Sequence, residues 1–110
     1  MALHVHSVAL EAVVALRPVV TQLLRHDRSL GEQLRKAASS MALNIGEAEA
    51  SDPGNSRARL RSAAGSTAES RAALRLAIAW GYVKPEAVAE ADRQLDRVAA
   101  MLYRLTAQRR

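Results

Sequence analysis

Apolar residues recur at alternating spacings of three and four residues along four separate segments of this 110-residue chain. The clearest stripe, in the fourth segment, consists of Val88, Ala91, Leu95, Val98, Leu102 and Leu105. This spacing places residues on one face of an α-helix, whereas a half-buried strand alternates every second residue. The composition agrees, because 23 Ala and 14 Leu favour helices and the absence of Phe leaves little material for a sheet. The sequence predicts an all-α fold in one domain, residues 1–110.

A proline and a capping signal define the first two predicted helices. The first runs over residues 3–26. Its interior Pro18 predicts a kink or a short break at residues 14–17, because proline removes a backbone hydrogen bond. The second helix begins at Ser29, where the sequence Ser-x-x-Glu is a capping-box signature, and it ends near Ala50.

The strongest loop signal in the chain, residues 51–56, separates the second predicted helix from the third. Asn55 or Ser56 is expected to cap the third helix, which runs to Trp80. Gly81 then supplies the left-handed residue that commonly follows a helix, and a Lys-Pro-Glu sequence opens the fourth helix.

Basic residues outnumber acidic residues, and the excess lies entirely in the second half of the chain. The formal net charge is +5; residues 1–50 carry five groups of each sign, whereas residues 51–110 carry eleven basic and six acidic groups. Such an excess permits binding to nucleic acid or to another anionic partner without requiring it.

Several classes of function lack the residues that they need. The chain has no Cys, and His4, His6 and His26 have no regular metal-ligand spacing. No Ser has a His placed by sequence as a general base, and no glycine-rich phosphate loop is present. We therefore expect no catalytic residue, cofactor or metal. The N-terminus lacks a basic signal-peptide segment and the longest uncharged stretches are ten residues, so we expect a cytoplasmic protein with no membrane partner.

Four short motifs occur in a fixed order between residues 30 and 83. They are Gln33-Leu34-Arg35-Lys36-Ala37-Ala38-Ser39-Ser40, Asn44-Ile45-Gly46-Glu47, Gly65-Ser66 with Glu69, and Gly81-Tyr82. Together they resemble the 23S ribosomal RNA intervening-sequence proteins of bacteria, although the glycine that ends the second motif in that family is absent. The resemblance implies an antiparallel up-down-up-down four-helix bundle that assembles as a homopentameric ring. It also implies no established enzymatic activity and an association with RNA or a ribonucleoprotein.

Polar residues of these motifs lie on helical segments that carry few charges. The candidates are Asn44, Glu47, Gly65, Ser66 and Glu69. A carboxylate pair with a raised pKa or a metal site is one interpretation. We favour a buried structural hydrogen-bond cluster between the second and third helices, because buried polar groups generally find partners.

Three arginines, Arg93, Arg97 and Arg104, share the face of the fourth helix opposite its apolar stripe. A solvated face explains this pattern, and so does a strip that contacts phosphates and is repeated around a ring. The functional interpretations are accordingly an RNA-associated scaffold or a protein-interaction adaptor that binds no nucleic acid.

The third helix is apolar on two sides. Leu60, Leu74 and Ile78 share one face, while Ala73, Leu76 and Trp80 lie roughly opposite. Since a lone bundle covers one face only, we predict a homo-oligomer. Its candidate interface residues are Leu43, Ala73, Leu76 and Trp80.

Overall fold

Four long helices contain nearly all of residues 3–107, the part of the chain that the computed structural model describes. They are α1 (His4–His26), α2 (Arg28–Glu49), α3 (Pro53–Ala79) and α4 (Pro85–Ala107). No strand occurs among these residues, which confirms the predicted all-α class.

The helices are antiparallel and follow one another around the bundle in chain order. Each helix packs mainly against two neighbours, in the cycle α1–α2–α3–α4–α1, so the α2–α3 side lies opposite the α1–α4 side. At one end of the bundle, Gln22 Nε2 donates to the Tyr82 carbonyl at 3.1 Å. At the other end, the Leu3 N–H donates to Glu49 Oε2 at 2.8 Å. We call the end that holds the α1–α2 and α3–α4 connections the Trp80 end.

The core consists of the apolar stripes that the spacing predicted. Its largest fully buried side chains are Leu16, Leu23, Leu34, Met41, Ile45, Leu74, Leu95 and Leu102. Two buried hydroxyls in α3 are satisfied by the preceding turn: Thr67 Oγ1 donates to the Ala63 carbonyl and Ser70 Oγ donates to the Ser66 carbonyl. These two hydroxyls therefore form no hydrogen bond between helices, and the core itself is held by hydrophobic packing.

Aspartates cap two helices earlier than the sequence signals suggested. Asp27 accepts from the Leu30 N–H, so α2 begins at Arg28 and the prediction of Ser29 as its cap is wrong. Asp52 accepts from the Asn55 N–H, so neither Asn55 nor Ser56 caps α3. The Asn55 backbone hydrogen bond also holds the pKa of Asp52 below its usual range.

The sequence predicted a kink or a short break at residues 14–17; the break does not occur, because α1 is continuous through Pro18. Pro18 removes the N–H that would bond to the Val14 carbonyl, but both residues are exposed, so water can satisfy that carbonyl. At the end of α3, Gly81 has the predicted left-handed conformation, with φ of 80°.

Helix α1 is, among residues 3–107, the one helix that is long and apolar enough to cross a membrane by length and composition. The sequence analysis judged membrane spans by the longest stretch without any charge. That criterion passes over α1, because a candidate span can contain up to two charged residues. The apolar character of α1 also has a role in the bundle, since it contributes the buried residues Val5, Val8, Ala9, Ala12, Leu16, Val19 and Leu23. Core helices of soluble proteins satisfy the same test.

Replacing Asp27 by Ala is expected to destabilise the bundle by about 1 kcal/mol, because it removes the α2 cap. The same change also removes the acceptor of the Tyr82 hydroxyl. Urea unfolding measures the loss, with Asp52→Ala as the control, which removes an exposed cap and is expected to have a smaller effect. Equal losses in the two variants would contradict this assignment.

Candidate functional site

A short polar network joins α2 to α3 midway along the bundle. Asn44 Nδ2 donates to the Ser40 carbonyl at 2.9 Å and lies 3.2 Å from Ser40 Oγ. Ser66 Oγ donates to Ser40 Oγ at 2.9 Å. The structure therefore brings together Asn44 and Ser66 from the sequence candidates. It does so through Ser40, which sequence reasoning missed although it lies one turn before Asn44.

The other candidates of the polar cluster lie outside this network. Glu47 forms an ion pair with Arg59 at 3.3 Å, and both side chains are more than half exposed. Glu69 is exposed, and its side chain forms no hydrogen bond or ion pair within residues 3–107, so the expectation that it is buried is wrong. Gly65 is exposed, and a Cβ placed there would have no neighbour within 4 Å. Gly65 and Glu69 both lie on the face of α3 that points away from the core.

The three arginines of α4 are exposed, but two of them already contact acidic or amide groups of this chain. Arg93 Nη2 lies 2.6 Å from Glu90 Oε1. Hydrogen bonds from Arg93 and then Gln94 lower the pKa of Glu90. Arg97 donates to Gln94 at 3.1 Å and lies 3.8 Å from Glu11. Arg104 forms no ion pair among the described residues. Because Arg93 and Arg97 lie beside carboxylates, this face of α4 carries less free positive charge than the sequence suggests.

A further arginine, Arg71, links α3 to α4. Its Nε lies 3.0 Å from Asp92 Oδ1, and its Nη1 lies 3.1 Å from Asp96 Oδ1. The hydrogen bond to Asp92 is the main reason that the pKa of Arg71 is raised. Sequence reasoning missed this role, and its only signal was the spacing of the two aspartates, one turn apart on α4. Arg71 therefore stabilises the contact between helices and is not available to a partner.

Large apolar side chains are exposed on two opposite sides of the bundle. Leu43 and Leu76, which we call the α2–α3 patch, line grooves between these two helices. Leu10 and Val14, the α1–α4 patch, line a groove that Glu90 and Gln94 complete. These four residues are between 46% and 66% exposed. Exposed apolar patches on soluble proteins commonly mark interfaces.

The two remaining interface candidates, Ala73 and Trp80, differ in how much of their surface is exposed. Ala73 is 8% exposed and belongs to the core of its own chain, so it leaves little surface for a neighbour. Trp80 is 64% exposed and lies beyond the α2–α3 patch, at the end of α3.

No group of three or more His, Asp or Glu side chains within residues 3–107 is placed to hold a metal ion.

The fold and these surfaces define a class of protein, the small antiparallel four-helix bundle that exposes both apolar and basic side chains. The chain belongs to the family described as 23S rRNA-intervening sequence protein, whose sequence model matches residues 2–104. The fold is similar to a crystal structure from Bacteroides thetaiotaomicron, described as a protein of unknown function from the S23 ribosomal protein family. The TM-score is 0.87 at 20% identity, over 94% of this chain and 99% of that chain. No curated protein matches the sequence.

Proposed function

We propose that this protein is a non-enzymatic, homo-oligomeric scaffold of the cytoplasm whose Arg-rich surface associates with structured RNA or a ribonucleoprotein. The observation that carries the proposal is the position of the excess charge. Residues 51–110 carry eleven basic and six acidic groups, and Arg93, Arg97 and Arg104 are all exposed on one helix. The family description, which refers to an intervening sequence of 23S rRNA, supports the same class of partner.

The placement of the two apolar patches supports self-association. The patches lie on opposite sides of the bundle. In the proposed contact, the α2–α3 patch of one subunit packs against the α1–α4 patch of the next, so that each subunit has both patches covered. Such a contact joins two different surfaces, and it closes into a ring where the rotation between subunits permits. The resemblance to the family favours five subunits. A ring repeats the arginine face at regular intervals and so increases its avidity for a long polyanion.

Replacing Arg93, Arg97 and Arg104 together by Gln is expected to flatten the salt dependence of RNA binding. The slope of log K against log salt falls by about two, because each lost phosphate contact contributes about 0.9 and Arg93 is engaged by Glu90. Fluorescence anisotropy with a labelled RNA hairpin at several salt concentrations measures the slope.

The matched control for this experiment removes three other positive charges. Arg57, Arg61 and Arg75 are exposed on α3 and form no ion pair within the described residues. Their replacement by Gln lowers the net charge equally and is expected to change the slope less. An unchanged slope in the α4 variant, or an equal change in both variants, would exclude this face as the RNA contact.

A protein-interaction adaptor is the second candidate function. The observation that favours it is the pairing of Arg93 with Glu90 and of Arg97 with Glu11, which leaves the surface of α4 less basic than its sequence suggests. An oligomer that shows no salt-dependent binding to RNA hairpins in the experiment above would favour this alternative.

A further inference from the structure

Three rings form an offset stack at the Trp80 end of the bundle. The His26 and Tyr82 ring centroids are 5.5 Å apart with 17° between the planes. Those of Tyr82 and Trp80 are 6.3 Å apart with 19° between the planes. Trp80 is the outermost ring and is 64% exposed, while Tyr82 is half-buried beneath it. The stack therefore offers an aromatic surface to solvent at its Trp80 end.

The middle ring of the stack is held from several directions. The Tyr82 hydroxyl donates to Asp27 Oδ2 at 3.3 Å, and its backbone carbonyl accepts from Gln22 at 3.1 Å. Its N–H donates to the Ala77 carbonyl at 3.0 Å, in the turn that the positive φ of Gly81 permits. Burial and then the Asp27 carboxylate raise the pKa of Tyr82, so the hydroxyl keeps the proton that it donates. The ring that supports Trp80 is thus fixed before any ligand binds.

Three cations lie at the same end of the bundle as this aromatic surface. Arg25 lies in the last turn of α1, Arg28 begins α2 and Lys84 precedes α4, so the antiparallel order brings all three to the Trp80 end. All three are exposed, and none of their side chains forms a hydrogen bond or ion pair within residues 3–107. Asp27 and Glu86 are the acidic residues nearest to them in the chain, and Asp27 is engaged by the α2 cap and by Tyr82.

We infer that the Trp80 end binds an unpaired base of single-stranded RNA, which stacks on the open face of Trp80 while neighbouring phosphates contact Arg25, Arg28 and Lys84. Aromatic side chains interleaved with cations are the usual means of binding single strands, because every base has a face that can stack. A nucleotide fits this surface, because its base is aromatic and its phosphate is negatively charged. A cationic partner, which Trp80 would otherwise attract, is repelled by the three positive charges. The inference deepens the proposed RNA association and rests on it.

Trp80 is the only tryptophan of the chain, so intrinsic tryptophan fluorescence reports on this ring alone. The full-length protein is titrated with an adenine-containing RNA of about eight nucleotides, a length within the usual range of single-strand sites. An abasic strand of the same length is the comparison, because it keeps the phosphates and lacks the bases. Quenching by the adenine strand and not by the abasic strand is expected.

Substitution of Trp80 tests the same contact by affinity. Trp80→Ala is expected to weaken binding of the adenine strand about ten-fold without changing the salt slope, because the change removes stacking and leaves the cations. Trp80→Phe is expected to restore part of the loss. Tyr103→Ala is the matched control, since Tyr103 is 72% exposed on α4 and is absent from the stack; its affinity is expected to equal that of the parent protein.

Three results would overturn the inference. They are equal quenching by the abasic strand, unchanged affinity in Trp80→Ala, and a Trp80 emission that shifts to the blue and resists acrylamide quenching when the protein assembles. The last result would place Trp80 in the subunit interface. The triple α4 arginine variant separates this inference from the proposed function, because it weakens hairpin binding and is expected to leave Trp80 quenching by the short strand intact. If the parent protein does not bind the hairpin but still shows base-specific quenching, only the proposed α4 contact is contradicted.

Discussion

Replacing Leu43 and Leu76 together by Glu is expected to convert the proposed homo-oligomer into a monomer of 11.9 kDa. Both leucines are exposed in the isolated chain, so the substitutions leave the core intact. In an interface they would bury two carboxylates against apolar groups without partners, which costs several kcal/mol. Light scattering coupled to size-exclusion chromatography at micromolar concentration measures the mass, and circular dichroism verifies that the helices are retained.

The opposite patch provides a stricter form of this test. Leu10→Glu with Val14→Glu is also expected to give a monomer, because the contact joins two different surfaces. Mixing the two monomeric variants is expected to give a dimer of twice 11.9 kDa, since one undamaged patch remains on each. Tyr103→Glu, on an exposed position outside both patches, is the control and is expected to keep the mass of the parent protein. A parent protein that is monomeric, or a mixture that stays monomeric, would contradict the proposed contact.

Helix positions and the core were largely predictable from the sequence, because they depend on local spacing. The α4 stripe is buried from Val88 to Leu102 as its period required, whereas its last member, Leu105, is exposed. Gly81 has the backbone conformation that its position after α3 suggested. The capping residues were less predictable. Asp27 and Ser29 are both good caps, and the choice depended on where the short α1–α2 connection could turn.

The surface groups were less predictable, because their partners lie far away in the chain. The sequence analysis assigned no role to Arg71, because its partners Asp92 and Asp96 belong to the next helix. Glu69 looked buried because its neighbours are apolar, but its angle on α3 points it to solvent. The stacked rings could not be predicted from local spacing, because His26 ends α1 and Tyr82 lies in the connection after α3. They come together only when the helices pack into the bundle. Periodicity identifies a residue's face and does not identify what lies opposite that face.

Two glycine-to-alanine changes are expected to shift the free energy of unfolding in opposite directions. A Cβ at Gly31 would lie 2.8 Å from Leu24 Cδ2 and 3.0 Å from the Leu24 backbone nitrogen, so α1 and α2 must separate to admit it. Gly31→Ala is therefore expected to destabilise the bundle by about 1–3 kcal/mol, despite the better helix propensity of alanine. At Gly65 a Cβ meets nothing within 4 Å, so Gly65→Ala is expected to stabilise the chain by about 0.5–1 kcal/mol.

Urea unfolding in the Leu43→Glu, Leu76→Glu background isolates these effects, because subunit association otherwise adds a concentration-dependent contribution to stability. Equal unfolding free energies for the two alanine variants would contradict the packing of α1 on Gly31. In the parent protein, Gly65→Ala has a second readout, which is its effect on the proposed assembly. Gly65 lies exposed on α3, the helix that also carries Leu76, so a neighbouring subunit that approaches this surface closely would clash with the added methyl group. A stabilised chain with weakened assembly would then show that the glycine at position 65 serves the contact between subunits and not the fold of one chain.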